Sequence, residues 1–517
     1  MKQSSTLPFP KSPNLEEARI QPLFPFHALD LSARGACGGL TLIWDESIRY
    51  SRGRNLKVVA CLWVAVLLIG TAGSLNIVPV NVLGGGSLLS VDWAHYHNYT
   101  ELVDIVLQVN STYPDAVDVF SIGKSYLGRD IYCVRLTNET HSGLKSRVLF
   151  VGYHHARERI TAEFLLRFVV DTVTDWGSNQ TIDSMLNDAE IFVIVALNVD
   201  GFEAVEENEW QRKNLQPYDE DGDGQFDEDL PDDADGDGYI EDLVRSTVDG
   251  WEFVRWEGVD DDADGLLNED WAGGVDLNRN YGYAWNASCD SGSPNPSAED
   301  YRGPEPFSEN ETQVMRDFAL QHRFQYAVSF HSGGEWVSIP WMYTLEPTND
   351  DRVFRETAGN ISGLVGIPFP YSDSRSTISG VWDDWMYGNR SIIALTCEIY
   401  GNWSALSYTY AGQGLYWERG ITQMFNPQPT GIETVLQRWL PVLIYVTNRA
   451  INDTLEFMLS DLNKDGAVDI FDVVIIAVSF GSEPADPNWN MIADINGDEI
   501  VDIFDLVVVA VNFGETI

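Results

Sequence analysis

At 517 residues, with 44% hydrophobic and 12% aromatic residues and 17 Trp, the chain can bury a large core, which excludes a disordered protein, a fibre and a small disulfide scaffold. The length predicts roughly two to four domains. With 79 Asp+Glu against 32 Lys+Arg, the net charge of −47 would repel a duplex or an anionic membrane surface, so nucleic acid is not an expected partner.

The acid is clustered. Positions 219–270 hold 22 carboxylates and two Arg, and positions 461–517 hold 12 carboxylates and one Lys. A salt-adapted surface would scatter its acids, so clustering favours metal-binding loops over general solvation. The five cysteines include no Cys-x-x-Cys pair, which excludes a cysteine zinc site and a thioredoxin-type motif, and no disulfide is expected.

In chain order, residues 1–57 read as a tail and 58–75 as a signal peptide or anchor. Four basic residues, Arg49, Arg52, Arg54 and Lys57, precede an uncharged apolar run that ends in small residues. The run is short for a membrane span. Its position leaves two main readings: a cleaved signal behind an over-extended start, or an uncleaved anchor with a cytoplasmic tail. A buried helix of the folded domain is the third. The first two export everything after residue 75, giving a secreted or surface-associated protein. Ten Asn-x-Ser/Thr sequons fit an exported surface.

Residues 93–451 alternate strand-like and helix-like segments. RVLFVGY (147–153) reads as a buried strand and 160–174 as an amphipathic helix. IFVIVAL (191–197), YAVSF (326–330) and IIALT (392–396) read as further buried strands. Strands interleaved with helices predict an α/β sheet covered on both faces. The first strand runs into His154-His155-Ala156-Arg157-Glu158, where a His and a Glu three apart can face one metal ion. Alone, such a pair is also what a solvated turn shows. Asn198-Val199-Asp200-Gly201, Trp210-Gln211-Arg212-Lys213, Val275-Asp276-Leu277-Asn278-Arg279-Asn280, His331-Ser332 and Glu398 follow in turn. Polar groups thus repeatedly stand just past apolar strands, where open α/β sheets bind ligands.

An acidic insert (214–274) interrupts this pattern. Asp219, Asp221 and Asp223 precede Gly224; Asp233, Asp235 and Asp237 precede Gly238; Asp260, Asp262 and Asp264 precede Gly265. Alternating carboxylates followed by Gly form a calcium-loop pattern, and Ca²⁺ would relieve the self-repulsion of this segment. No flanking helices are evident, so these are not full EF-hands; a mobile acidic loop is the bland reading.

A duplicated segment closes the chain (459–517). Asp461, Asn463, Asp465, Asp469 and Asp472 occupy positions 1, 3, 5, 9 and 12 of a calcium loop with Gly466 at position 6. Asp494, Asn496, Asp498, Asp502 and Asp505 repeat it, with Glu499 at position 6. Apolar helices follow both copies.

Residues 93–451 resemble the zinc metallocarboxypeptidases of the pancreatic carboxypeptidase type. The resemblance rests on YHNYTELVDIV, IGKSYLGRDIYCVRL, HHARE, NVDGFE, WQRK, GGVDLNRNY, SFHS and CEIY in the family's order. It implies a mixed sheet, one Zn²⁺ held by His155, Glu158 and His331, and a water activated by zinc with Glu398 as general base. It also implies Arg212 as the group that polarises the scissile carbonyl, and Asn278 with Arg279 as the holders of the substrate's terminal carboxylate. That last contact defines an exopeptidase releasing C-terminal residues from peptides or proteins. His154 falls outside the metal motif and reads as neutral packing beside it. Where the family carries a capping tyrosine, Ser376 stands here, with Tyr371 five residues early. Asp383 aligns with the base of the specificity pocket, implying a preference for terminal Lys or Arg; a solvated loop residue is the alternative. The C-terminal duplicate resembles a dockerin, which implies a cohesin-type partner; a stability module packed on the enzyme is the other reading. Two other functions remain in view for the chain: a peptidoglycan peptidase or amidase on the same fold, and an inactive binding or scaffold protein.

Overall fold

Short β-branched and aromatic runs with no polar alternation form strands buried on both faces, and four such runs make the middle of the main sheet. The computed structural model describes residues 89–516, apart from 144, 220–223, 228, 237–239, 248–250, 262–264, 266, 268–273, 370–375, 485 and 497. The strands are β1 (Val117–Lys124), β2 (Asp130–Leu136), β3 (Ser146–Val151), β4 (Ala189–Ile194), β5 (Asp242–Ser246), β6 (Trp251–Trp256), β7 (Tyr326–His331), β8 (Gly334–Ser338), β9 (Ile393–Tyr400), β10 (Ser407–Gly412) and β11 (Leu415–Arg419). The helices are α1 (Tyr99–Thr112), α2 (Arg159–Asp175), α3 (Gln180–Asp188), α4 (Gly201–Glu207), α5 (Asn310–Gln321), α6 (Asp351–Val365), α7 (Trp382–Arg390), α8 (Ile421–Phe425), α9 (Pro429–Ser460), α10 (Ile470–Ser479) and α11 (Ile503–Val511).

The main sheet has the order β1-β2-β4-β3-β7-β9-β8. Its middle, β4-β3-β7-β9, is parallel, and β2 and β8 join it antiparallel on either side. Every residue of β7 is buried. Successive side chains point to opposite faces, so both faces of the sheet are covered there, as the sequence predicts. From β3 the chain moves outward to β4, whereas from β7 it moves the other way to β9. The crevice between β3 and β7 is therefore the topological switch point, where such sheets bind ligands. His155 and Glu158 follow β3, and His331 ends β7.

The acidic insert contains more order than its composition suggests. It supplies β5 and β6 to a second, antiparallel sheet of order β10-β11-β5-β6. The predicted strand at 392–396 also runs further, to Tyr400, so Glu398 lies within β9 rather than beyond it, directly across from His331 in the register.

The C-terminal duplicate folds as two short helices, α10 and α11, each opened by the same capping box: Asp469 with Asp472, and Asp502 with Asp505. A small core, including Val468, Ile476, Val501 and Val509, joins them to Phe457 near the end of α9. The helix α9 runs without a break through the position where the sequence suggests a domain boundary.

The tail at 1–57 and the apolar segment at 58–75 lie outside the described residues; among the described residues no helix is long and apolar enough to cross a membrane. Cys37 and Cys61 lie outside as well, and Cys133, Cys289 and Cys397 are free thiols.

Candidate metal centre and substrate cleft

The turn after β3 is built for close approach. A Cβ on Gly152 would stand 2.9 Å from the Val195 carbonyl oxygen and 3.1 Å from that of Thr161, so only glycine lets β3 run this tightly into the following residues. His155 and Glu158 emerge from that turn and meet His331. His155 Nδ1 is 2.7 Å from Glu158 Oε1, His331 Nδ1 is 3.1 Å from Glu158 Oε2, and the two Nδ1 atoms are 3.2 Å apart. All three side chains are buried, and one donor atom from each lies within 4.8 Å of the others.

The surrounding partners decide what these atoms can be. His155 Nε2 is 3.0 Å from Asp276 Oδ1. A carboxylate only accepts, so Nε2 carries the proton and Nδ1 presents a lone pair. That lone pair faces the Glu158 carboxylate, another acceptor, and a cation between them resolves the conflict. Two imidazole nitrogens and a carboxylate are the donor set that Zn²⁺ takes in open sites. The residues present therefore fit the ion. Burial raises the Glu158 pKa, but the His155 and His331 rings outweigh it and hold the carboxyl well below the ordinary range. His331 is lowered by burial, which the Glu158 carboxylate only partly offsets.

His154 is fully buried and extends the network. Ser329 Oγ lies 3.0 Å from both His331 Nε2 and His154 Nδ1, and His154 Nε2 is 3.2 Å from Tyr281 OH. Burial, with the neighbouring rings of His331 and His155 adding, holds His154 well below the usual imidazole range, so it is neutral. The sequence motifs contain Ser329, Tyr281 and Asp276 but assign none of them a role. Asp276 had the stronger signal: an acid two residues before Asn278-Arg279 in an otherwise apolar stretch. Its Oδ2 also accepts from Arg212 Nη2 at 2.8 Å and Nε at 3.0 Å. Burial pushes Asp276 up, but Arg212, Arg279 and His155 hold it well below the ordinary range.

Glu398 is half-buried, yet its Oε2 is enclosed and has no hydrogen-bond partner. Burial, with the Glu158 charge adding, holds its carboxyl well above the ordinary range. A buried oxygen without a donor, across the register from His331, suits a group that exchanges a proton with a ligand.

Asn278 and Arg279 lie in a single 3-10 turn, both buried. Asn278 Nδ2 is 3.4 Å from His331 Nε2, and its Oδ1 accepts from the Trp382 amide at 2.9 Å. Arg279 Nε donates to Ser291 Oγ, and its guanidinium is 3.9 Å from Asp276 Oδ2. Gly380, at φ +67°, brings the start of α7 against this turn; a Cβ there would meet the Arg279 carbonyl oxygen at 2.0 Å. Asp383 sits in the first turn of α7 and is 1% exposed, so it is not a solvated loop residue. Its Oδ1 accepts from the Asp384 amide and its Oδ2 from Thr396 Oγ1 at 3.4 Å. Burial raises its pKa, opposed in part by Arg279. Ser376 is exposed, and Tyr371 lies outside the described residues.

The expected calcium loops divide. In four of them the first carboxylate accepts from the sixth backbone amide: Gly224 to Asp219, Gly265 to Asp260, Gly466 to Asp461 and Glu499 to Asp494, each at 3.0–3.1 Å. All four sixth residues have φ between +68° and +98°. Glu499 thus takes the left-handed backbone despite its side chain. Asp221, Asp223, Asp262 and Asp264 lie outside the described residues, as does Asp237. The turn at Asp233 closes on Gly236 at 2.7 Å, and among the described residues Asp233 and Asp235 gather with Glu257. In the duplicate, Asp472 and Asp505 spend their carboxylates on backbone amides of their own loops, and Asp469 and Asp502 cap the helices that follow. Asn463 and Asn496 accept from the amides of Asp465 and Asp498.

Residues 102–437 match the family described as zinc carboxypeptidase. The chain is 24% identical over 323 residues to Carboxypeptidase A6 of Homo sapiens, covering 60% of this chain and 62% of that protein. It is 24% identical over 320 residues to Carboxypeptidase B of Astacus astacus, covering 60% and 88%. The chain thus spans about three fifths of the length of the human relative. The solved structure of thrombin activatable fibrinolysis inhibitor shares the fold, with a TM-score of 0.52 at 19% identity over 70% of this chain and 75% of that one.

Proposed function

The chain belongs to the zinc carboxypeptidase family, and from that premise we propose that it hydrolyses the C-terminal peptide bond of peptides or proteins. The observation that carries this reading is the convergence of His155 Nδ1, Glu158 and His331 Nδ1 beside an unpartnered Glu398 oxygen. Zn²⁺ in that cluster supplies Lewis acidity toward water and toward the scissile carbonyl. Every other part is played by the chain. Asp276 keeps the His155 proton on Nε2. Glu398 takes the proton of the attacking water at Oε2 and returns it to the leaving amine, and burial, which raises its pKa, favours its holding that proton in between. Arg212 stabilises negative charge as it develops on the carbonyl oxygen, and Asp276 holds it ready to do so. Arg279 pairs with the free carboxylate of the substrate, with Asn278 beside it. An amidase cutting an internal bond has no use for Arg279, and an inert scaffold has none for Glu398. The test is zinc content together with the product released from a defined peptide. Release of single C-terminal residues is expected; release of internal fragments alone overturns the reading.

Asp383 supports a preference for terminal Lys or Arg. A buried carboxylate that Arg279 only partly offsets gains from a cationic side chain brought by the substrate.

The C-terminal duplicate supports a second, binding role as a dockerin-like module that takes Ca²⁺ and docks on a cohesin-type partner. Both copies share one loop geometry, and both leave an Ile-Phe pair exposed, Ile470-Phe471 and Ile503-Phe504. The insert is read as binding Ca²⁺ as well, with Glu257 joining Asp233 and Asp235. Calorimetric titration with Ca²⁺ and cohesin pull-down with and without chelator test these readings; no heat and no capture overturn them. The segment at 58–75 supports an exported protein.

A further inference from the structure

Arg157 stands between two metal donors in sequence and also forms a wall of a separate cavity of about 470 Å³. That volume lies within the roughly 300–1,000 Å³ typical of ligand pockets. The cavity is roofed by the acidic insert and floored by the segment after β9. Trp210, Phe253, Trp256 and Trp403 give it aromatic faces. Asp242 on β5 lines it, is 6% exposed, and has an enclosed Oδ1 with no hydrogen-bond partner. Glu418 lies across from Asp242 in the β11–β5 register and also lines the cavity. Arg157 offsets Asp242 only in part, because its guanidinium is already paired with Glu299 at 2.8 and 3.2 Å. The cavity therefore holds more carboxyl groups than cations, beside aromatic rings, and both features attract a cation.

Its position names the source of that cation. Arg157 Nη1 donates to the Trp210 carbonyl, and the Ala156 amide donates to that of Arg212. The cavity wall is thus tied to the residue that faces the scissile carbonyl. A peptide with its free carboxylate at Arg279 and its scissile carbonyl at Arg212 would carry its upstream residues past Arg212, whose backbone is one hydrogen bond from Ala156, the neighbour of Arg157. We propose that the cavity is a subsite for a lysine or arginine side chain on the amino-terminal side of the scissile bond, a proposal that rests on the carboxypeptidase reading above. The insert, on this view, selects the substrate at a second point, apart from Asp383. Burial, reinforced by Glu299 and Glu418 and opposed in part by Arg157, holds the Asp242 carboxyl well above its ordinary range, as befits an acid whose counter-ion arrives with the ligand.

The test uses the zinc-loaded full chain and paired peptides with one C-terminal residue, carrying lysine or norleucine at each of the upstream positions in turn. At one position lysine should raise kcat/KM by about tenfold, mainly through KM. Asp242→Asn should bring that ratio close to one. Phe253→Ala, at a half-exposed wall residue, should reduce the ratio and serves if the first variant fails to fold. A ratio near one at every position, or a full ratio in both variants, overturns the proposal. If not even the norleucine peptides are cleaved, the peptidase reading itself has failed. Equilibrium binding of the same peptides then reads the cavity: tighter binding of the lysine peptide, lost in Asp242→Asn, supports it, and equal binding overturns it.

Discussion

Asp276→Asn probes the whole donor cluster through one atom. The carboxylate holds His155 with Oδ1, 3.0 Å from Nε2, and Arg212 with Oδ2, at 2.8 and 3.0 Å. Asparagine keeps the shape but replaces one acceptor with a donor. If the new NH2 faces His155, Nε2 must accept, and the ring proton moves to Nδ1, the atom aimed at the metal. Loss of such a supporting contact lowers metal affinity by about 10–100-fold, or about 1.4–2.7 kcal/mol. If the NH2 instead faces Arg212, a guanidinium only 13% exposed loses its charged partner. Breaking a buried pair in that way costs about 3–5 kcal/mol of stability. Competition with a chelator measures the first outcome and thermal unfolding the second. A variant indistinguishable from the parent in both zinc affinity and melting temperature refutes the role given to Asp276.

Glu398→Gln removes the proton acceptor but none of the proposed ligands. We expect zinc to be retained and kcat to fall about 10²–10⁴-fold; parental turnover in a zinc-loaded sample counts against the base assignment. Asp383→Ala should erase any preference for arginine-ended over phenylalanine-ended peptides, and an unchanged preference sinks that assignment. Glu311, buried against the Tyr126 amide and Asn214, has its pKa raised by burial from 4.5 to about 7. The folded state then binds the proton more tightly than the unfolded one. The stabilisation is fully present below about pH 4.5 and is lost as the pH rises through about 7, roughly 3 kcal/mol in all. Glu311→Gln mimics the protonated acid and should flatten stability between pH 5 and pH 8 in urea unfolding; an unaltered slope means that Glu311 is not its source.

The parallel core of the fold was legible because its strands are uniformly apolar. Runs such as Val148 to Val151, short, rich in β-branched residues and bounded by polar ones, suit strands buried on both faces, and the polar residues after them lie at the edge of the sheet where the donor cluster forms. His155, Glu158 and His331 stood out because each follows such a run. Asp276, Ser329 and Tyr281 act only through contacts with residues distant in sequence, so no local pattern announces them. The sheet strands β5 and β6 were hidden for a different reason. Their residues, such as Asp242 and Trp251 to Trp256, sit among aspartates and glycines whose loop signal dominates any window, and β11, which joins β5 to the rest of that sheet, lies more than 150 residues downstream. The expected calcium loops rest on ligand spacing alone, and four of them share one backbone hydrogen bond and a left-handed sixth residue. Spacing does not reveal that Asp472 and Asp505 are occupied by backbone amides, nor that Asp233 turns on Gly236.

The helix α9 has 32 residues with Pro441 inside it, and at 1.5 Å per residue it runs for about 48 Å. Its last turn passes straight into the first duplicate loop, since the Asp461 amide still donates to the Phe457 carbonyl. No slack tether separates the two. A partner that held the terminal module would hold the end of α9 with it, as a handle holds a blade. Lengthening that junction with glycine and serine would loosen that hold while leaving both ends chemically intact.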